Sequence, residues 1–325
     1  MKFIRCLLLF LVTSSVLLPQ ETPAPEIAFE SVPNPLSLPA NLYLGEVAGV
    51  AVNSKGHIFI YTRSGHTQLH EFDASGNYIR TIGNDLYGFV FAHVVRIDKD
   101  DNIWCVDEGS NMIIKFSPEG RVLMVLGRKP EAVEAAHSPD AAPPPARPGI
   151  FNRPTDVAWD AAGNSFISDG YGNSRVAKVD QYGDWITTWG KRGAEPGEFH
   201  TPHSIATDAS GNVYVGDREN RRIQVFDGDG KFLKQWTNVG APWAICITPA
   251  ASGAKQVVYS SDSVPGRIYK LDLNGNVLGA FGKAGKRPGQ FGWVHEMACP
   301  SENVLYVGEL LNWRMQKLIL HPEKR

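Results

Sequence analysis

The chain has 325 residues and a formal net charge of −2, with 32 glycines, 22 prolines and 43% hydrophobic residues. This composition is typical of a turn-rich globular protein with a large core, and it excludes a disordered chain. Because the charges nearly balance, we expect neither nucleic acid nor an anionic membrane as a partner.

The N-terminus has the pattern of an export signal. Lys2 and Arg5 flank the start of the chain, and an apolar run over residues 6–18 ends before Pro19. Two positive charges before a short apolar run predict a secretory signal peptide, here over residues 1–24. We therefore expect residues 25–325 to be exported to the periplasm or the extracellular space, without a membrane span once the signal is removed.

Three cysteines follow the signal, Cys105, Cys246 and Cys299, and each lies in an apolar, strand-like run. Their odd number and the lack of a Cys-x-x-Cys spacing indicate neither a disulfide framework nor a cysteine zinc site. The sequence predicts that all three are small buried hydrophobic residues.

One unit recurs six times along the chain. Residues 49–60, 94–105, 156–167 and 204–215 each have an apolar strand, a turn rich in Asp, Gly or Asn, and a second strand. A fifth copy begins at Ala244 and a sixth at Glu296. Each of the first five copies is followed by two more strand-like segments, so the unit reads as a four-stranded antiparallel sheet.

The units recur every roughly 40 to 60 residues, which is the range of propeller blades. We therefore predict an all-β fold, a six-bladed β-propeller. The last blade lacks a fourth strand after Leu320, and residues 27–39 are expected to supply it and close the ring. The Pro/Ala-rich residues 131–148 read as a loop between blades. The Asp-x-x-Gly-Asn segments at Asp160 and Asp208 read as hairpin turns rather than calcium loops.

Histidines recur in register with the blades. At the first position of the innermost strand the six repeats have, in order, Ala48, His93, Thr155, His203, Trp243 and His295. Alternate blades of a six-bladed ring are related by a threefold arrangement, so these three imidazoles should converge on the central channel. One such histidine alone would be read as an ordinary structural residue, but three in alternate blades predict a catalytic zinc site with an open position.

A second register lies where the second strand of each blade ends. Arg63 and Arg218 have equivalent places in blades one and four, and Tyr171 belongs to the longer turn of blade three. Each arginine could be half of a salt bridge at the rim, and Tyr171 could be a packing aromatic. Beside three histidines, however, two cations and a phenol suggest a site that binds a carboxylate and moves a proton.

With these residues identified, the chain resembles peptidyl-α-hydroxyglycine α-amidating lyase, a propeller of the NHL-repeat superfamily. The similarity extends over most of the chain after the signal. Its most specific motifs are Asp-Gly-Tyr-Gly-Asn-Ser-Arg at 169–175 and Asp-Arg-Glu-Asn at 217–220, together with the three histidines.

The resemblance implies a catalytic Zn²⁺ bound by His93, His203 and His295, and the active-site residues Tyr171, Arg63 and Arg218. It also implies a structural Ca²⁺ in the channel, bound by the carbonyl oxygens of Val50 and Val95 and by the side chain of Glu296.

The chain departs from the family at several of these places. Glu296 stands where the family has aspartate, and Trp293 stands where it has methionine. Asn152 and Gly172 replace cysteines that form a disulfide in the animal enzymes. The Tyr171 loop must therefore be held by packing and hydrogen bonds.

The expected reaction is cleavage of an N-acyl or peptidyl α-hydroxyglycine to a primary amide and glyoxylate, with a small molecule or peptide as substrate and a monomeric enzyme. Two alternatives remain open. One is a non-catalytic NHL-repeat propeller that binds protein or glycan. The other is a calcium-dependent propeller hydrolase of lactones or esters, although such sites are usually lined by oxygen ligands.

Overall fold

The computed structural model describes residues 24–130, 146–250 and 255–323. The predicted signal peptide and most of the loop at 131–148 lie outside the described residues. Within the described residues all regular elements are β-strands, and these residues include no helix that could cross a membrane.

The described strands form six four-stranded antiparallel sheets, here called blades one to six and given from the channel outward. Blade one contains β2 (Glu46–Val52), β3 (Ile58–Arg63), β4 (Thr67–Phe72) and β5 (Tyr78–Ile82). Blade two contains β6 (Ala92–Ile97), β7 (Ile103–Asp107), β8 (Met112–Phe116) and β9 (Val122–Gly127). Blade three contains β10 (Asp156–Trp159), β11 (Ser165–Asp169), β12 (Arg175–Val179) and β13 (Trp185–Trp189).

The second half repeats this plan. Blade four contains β14 (Pro202–Thr207), β15 (Val213–Asp217), β16 (Arg222–Phe226) and β17 (Phe232–Trp236). Blade five contains β18 (Pro242–Ile247), β19 (Val257–Asp262), β20 (Arg267–Asp272) and β21 (Val277–Phe281). Blade six contains β22 (Val294–Ser301), β23 (Val304–Glu309), β24 (Arg314–Leu320) and, as its outer strand, β1 (Phe29–Ser31).

The ring closes as predicted. The innermost strands contact their neighbours all the way round, and β2 of blade one packs against β22 of blade six. The N-terminal strand β1 pairs antiparallel with β24, with Phe29 opposite Leu320 and Ser31 opposite Leu318. The six-bladed propeller expected from the repeats is therefore confirmed.

The turns and the core explain why this repeat forms a blade. In the hairpin of blade three, Asp160 Oδ1 accepts the main-chain N–H of Asn164 at 2.9 Å, and Asp208 and Asn212 repeat the arrangement in blade four. Large aromatic side chains fill the space between the blades, and among them Tyr259 and Phe281 are fully buried. Hydrophobic burial between neighbouring blades thus stabilises the ring that positions the channel.

One cysteine prediction was wrong. Cys246 on β18 and Cys299 on β22 form a disulfide, with Cα atoms 6.1 Å apart, so blades five and six are covalently joined next to the channel. The bond was not visible in the sequence because 53 residues separate two positions that face each other across a blade interface. Cys105 is a free, buried cysteine, as expected.

Candidate metal centre and active site

Each of the three register histidines lies at a β-bulge. Pairing between β6 and β7 passes from Ala92 to Val94, so His93 has no partner in the ladder. The same skip occurs at His203 in blade four and at His295 in blade six. A bulge bends a strand and redirects the side chain of the extra residue, which here turns each imidazole toward the channel axis.

The three imidazoles form a compact triangle. Their ring centroids are 4.7 Å apart for His93 and His203, 4.6 Å for His93 and His295, and 5.1 Å for His203 and His295. One nitrogen from each ring lies within 4.8 Å of the other two, and all three residues are buried. Zn²⁺ binds imidazole nitrogen at about 2.0–2.1 Å, so this spacing suits three ligands around one ion.

Electrostatics keep the three rings neutral, which is the form that binds a metal. Burial lowers the pKa of His93 well below its usual value, and the nearby His295 and His203 lower it further. Burial and then Arg218 depress the pKa of His203 in the same way. For His295, burial and then Arg63 lower the pKa to about 3.

The outer nitrogens of these rings face main-chain carbonyls of the next blade. Nδ1 of His203 lies 2.6 Å from Trp243 O, and Nδ1 of His295 lies 2.8 Å from Ala48 O. His93 faces the backbone of Thr155, although its Nδ1 does not reach full hydrogen-bond geometry. A ring that donates from Nδ1 presents the Nε2 lone pair to the channel, so the donor set fits a zinc ion.

Tyr171 lies directly against this triangle. Its phenol oxygen is 2.9 Å from Nε2 of His203 and 3.3 Å from Nε2 of His93. Burial raises the pKa of Tyr171, and Glu108 adds to the rise, whereas Arg218 and Arg63 lower it. The two arginines therefore act in the direction expected from the sequence, but burial outweighs them in the protein alone.

The loop that carries Tyr171 is held by non-covalent contacts. The N–H of Tyr171 donates to Arg153 O at 3.3 Å, and the Arg153 guanidinium covers the Tyr171 ring at 4.5 Å. The N–H of Gly172 donates to Asn152 O at 3.0 Å. Asn152 and Gly172, where the family resemblance implies a disulfide, are therefore adjacent here and are joined by a main-chain hydrogen bond.

Both predicted arginines reach the same mouth of the channel. Nη1 of Arg218 lies 3.5 Å from the Tyr171 oxygen, and its guanidinium stacks 4.7 Å from the Trp243 ring. Nε of Arg63 donates to Ala92 O at 2.6 Å. Each arginine also forms an ion pair with an acidic neighbour, as the salt-bridge alternative expected. Glu219 lies 2.9 Å from Arg218, and Glu46 lies 3.6 Å from Arg63.

Glu108 was not predicted as part of the site. One of its carboxylate oxygens, Oε1, bonds to Nη2 of Arg153 at 2.9 Å. The other, Oε2, lies 3.6 Å from Nε2 of His93 and has no hydrogen-bond partner among the described residues. Glu108 directly follows the second strand of its blade, β7. Arg63 and Arg218 have the equivalent place at the ends of β3 and β15, so the same register could also have predicted Glu108.

Two tryptophans form one wall of the mouth. Trp243 lies 5.4 Å from the His203 ring and 5.4 Å from Trp293, measured between ring centroids. Trp293 is 38% exposed, so it borders both the site and solvent. The Trp293 side chain therefore bounds the opening through which a substrate would reach the histidines.

The residues implied for calcium lie deeper in the channel. Val50 and Val95 are on the innermost strands β2 and β6, two residues after Ala48 and His93. Glu296 is fully buried on β22, directly after His295. Its Oε1 lies 2.9 Å from Nη2 of Arg96, so the carboxylate already has a cationic neighbour.

Comparisons with known proteins agree with the sequence resemblance. The NHL repeat family model matches residues 199–226. A probable peptidyl-alpha-hydroxyglycine alpha-amidating lyase of Caenorhabditis elegans is 28% identical over 302 residues, which cover 82% of this chain and 80% of that protein. Peptidyl-glycine alpha-amidating monooxygenase B of Xenopus laevis is 30% identical over 307 residues, covering 83% of this chain but 33% of that protein. The chain thus spans about a third of the length of the frog relative.

Solved structures support the fold. The virginiamycin B lyase of Staphylococcus aureus superposes with a TM-score of 0.60 at 14% identity, over 91% of this chain and 100% of that one. This likeness concerns the propeller alone. The amidating-lyase resemblance predicted from the sequence is confirmed by the curated relatives.

Proposed function

Because the chain is homologous to peptidyl-α-hydroxyglycine α-amidating lyases over most of its length, we propose that it is a zinc-dependent lyase. Its substrate is an N-acyl or peptidyl α-hydroxyglycine, and its products are a primary amide and glyoxylate. The observation that carries the proposal is the triangle of three buried imidazoles with the Tyr171 phenol against it and two arginines at the same mouth.

The reaction needs a base, a binding site for a carboxylate and a source of positive charge. A zinc ion held by the three imidazoles would supply charge that lowers the pKa of the substrate hydroxyl and of the Tyr171 phenol. Tyr171 then takes the hydroxyl proton. The C–N bond breaks as the carbonyl of glyoxylate forms, its electron pair passes to the amide nitrogen, and Tyr171 returns the proton to that nitrogen.

The arginines bind and orient the substrate. An α-hydroxyglycine carries a carboxylate beside the carbon that reacts, and a guanidinium can hold a carboxylate through two parallel hydrogen bonds. Nη2 of Arg63 and Nη2 of Arg218 have no hydrogen-bond partner among the described residues, so each can donate to a ligand. Arg218 lies beside the Tyr171 oxygen, so a carboxylate bound by Arg218 would bring the substrate hydroxyl close to that oxygen.

The two alternative functions receive less support. A non-catalytic NHL propeller gives no reason for three buried histidines at equivalent bulges. A calcium-dependent hydrolase calls for carboxylate and carbonyl oxygens, whereas the donor set at this mouth is nitrogen. We also propose that residues 25–325 are exported and that the protein is a monomer.

The test is glyoxylate release from α-hydroxyhippurate by wild type, by chelator-treated protein and by that protein after zinc is restored. Activity should be lost with the metal and return with zinc. His93→Ala, His203→Ala and His295→Ala should each lose both zinc and activity, because two imidazoles hold zinc poorly.

His200→Ala is the matched control. His200 lies on the same rim, but its ring contacts Arg192 rather than the triangle, so zinc and activity should stay at the wild-type level. A wild-type protein that holds one zinc and releases no glyoxylate would refute the proposed reaction. Full zinc occupancy in any of the three alanine variants at the triangle would refute the metal site.

A further inference from the structure

A charged side chain crosses the channel below the histidines. Arg96 extends from β6 of blade two, and its Nε and Nη2 bond to both carboxylate oxygens of Asp156 in blade three, at 2.9 and 2.6 Å. Nη2 also lies 2.9 Å from Oε1 of Glu296 in blade six. The guanidinium therefore lies on the channel axis, between acids from blades on opposite sides of the ring.

Main-chain oxygens complete its surroundings. Arg96 Nη1 is 3.4 Å from Met297 O, and Nη2 is 3.3 Å from Ile245 O. Met297 lies two residues after His295, and Ile245 lies two residues after Trp243. Val50 and Val95 have the same spacing from Ala48 and His93 in blades one and two. The guanidinium thus contacts two carbonyls in the same register as those of Val50 and Val95, and also the acid at position 296 that the family resemblance assigns to calcium.

These residues do not fit a calcium ion while Arg96 is in place. Ca²⁺ takes six to eight oxygen ligands at about 2.3–2.6 Å, whereas Glu296 Oε1 is already in contact with a cation. Burial opposes the charge on Arg96, but Asp156 and Glu296 raise its pKa above the ordinary value, so the guanidinium stays charged. A second cation beside it would be repelled in a site of low dielectric constant.

We propose that Arg96 is a built-in cation that takes the place of a structural calcium ion in the channel. Its hydrogen bonds to Asp156, Met297 O and Ile245 O join the innermost strands of blades two, three, five and six, which a bound ion would otherwise do. Glu296 is joined by charge alone, because neither of its carboxylate oxygens has a hydrogen-bond partner among the described residues. The fold of this protein therefore does not require calcium. The inference concerns the channel below the histidines and does not depend on the lyase activity.

The experiment compares wild type with Arg96→Met, a variant of similar length without charge. Both are freed of divalent ions and reloaded with zinc, and thermal unfolding is then followed without calcium and with millimolar CaCl₂. Wild type should show the same Tm in both conditions and bind no calcium in equilibrium dialysis. Arg96→Met should melt lower, by on the order of 10 °C, because two buried acids lose the cation between them. Calcium should restore part of that loss and bind with one ion per chain.

Two further variants separate the site from a general effect of calcium. Arg96→Met combined with Glu296→Gln removes one of the two acids and should lose the calcium response. Arg96→Lys keeps the positive charge, so its Tm should not change when calcium is added. This variant gives a second measurement if Arg96→Met does not fold. Stoichiometric calcium in wild type, or a folded Arg96→Met that neither binds calcium nor gains stability from it, would overturn the inference.

Discussion

The phenol oxygen of Tyr171 lies 2.9 Å from Nε2 of His203, so the proposed proton acceptor touches a proposed metal ligand. Tyr171→Phe should keep the fold and the zinc, because the hydroxyl is not one of the three ligands. Loss of a positioned general base typically lowers turnover about 100- to 10,000-fold. Steady-state glyoxylate release, with zinc measured on the same samples, checks this expectation.

Tyr182→Phe serves as its control, since Tyr182 is exposed on the outer part of blade three and should not affect turnover. If Tyr171→Phe turns over at the wild-type rate, the base is another group and the assignment of Tyr171 fails.

Arg218→Lys tests the carboxylate site. Lysine keeps the positive charge but lacks the planar pair of donors, so substrate binding should weaken more than the chemical step. A lost charge-assisted hydrogen bond predicts a KM higher by about 10- to 100-fold, with a smaller change in kcat. Arg63→Lys, measured in parallel, shows which of the two arginines holds the carboxylate.

Arg192→Lys is the matched control, because Arg192 contacts His200 on the rim and no residue of the triangle. Unchanged KM values for both Arg218→Lys and Arg63→Lys would contradict a carboxylate-binding role.

The disulfide between Cys246 and Cys299 should stabilise the ring. Reduction, or the double change Cys246→Ser with Cys299→Ser, should lower the free energy of unfolding by about 2–4 kcal/mol. Urea unfolding with and without reductant measures the loss. The double variant is its own control, because its unfolding midpoint should not respond to reductant. A wild type equally indifferent to reductant would show that the bond does not contribute to stability.

His70 should make part of the stability depend on pH. Burial lowers its pKa to about 4, and its Nε2 has no hydrogen-bond partner among the described residues. In the unfolded chain His70 takes up a proton at about pH 6.5, whereas in the folded protein it does so only at about pH 4. The stability that the folded state keeps by leaving His70 neutral is therefore fully present above about pH 6.5 and is lost as the pH falls toward about 4. Between about pH 7 and about pH 5 this loss amounts to about 2 kcal/mol.

His70→Gln cannot titrate and should lose correspondingly less stability over that interval, measured by urea unfolding at both pH values. The other buried histidines contribute equally to both proteins and cancel in the comparison. Equal losses in the two proteins would contradict the burial argument for His70.

The repeats predicted the fold and the histidines because one pattern in six copies aligns equivalent positions without knowledge of contacts. The bulges at His93, His203 and His295 could not be predicted, since a bulge is a property of pairing between two strands. Arg96 was missed for a different reason. How far a long side chain reaches across the channel depends on the width of the ring, which no single repeat encodes.

Acids and cysteines were the hardest residues to place from the sequence. Glu108 has the same register as Arg63 and Arg218, but an acid at the end of the second strand occurs in most other blades, so its position alone does not indicate a functional role. Cys246 and Cys299 looked like two of three unrelated apolar residues, because the contact between them exists only once blades five and six are side by side.

The positions of the histidines also order the events of biosynthesis. His93 is made first, His203 follows two blades later, and His295 belongs to β22 of the last blade. A nascent chain that ends before β22 has at most two of the three imidazoles, and it lacks the sheet that β1 joins through β24. Under the proposed ligand set, metal loading is a late step of maturation. A bound ion would then distinguish finished molecules from rings that are still open.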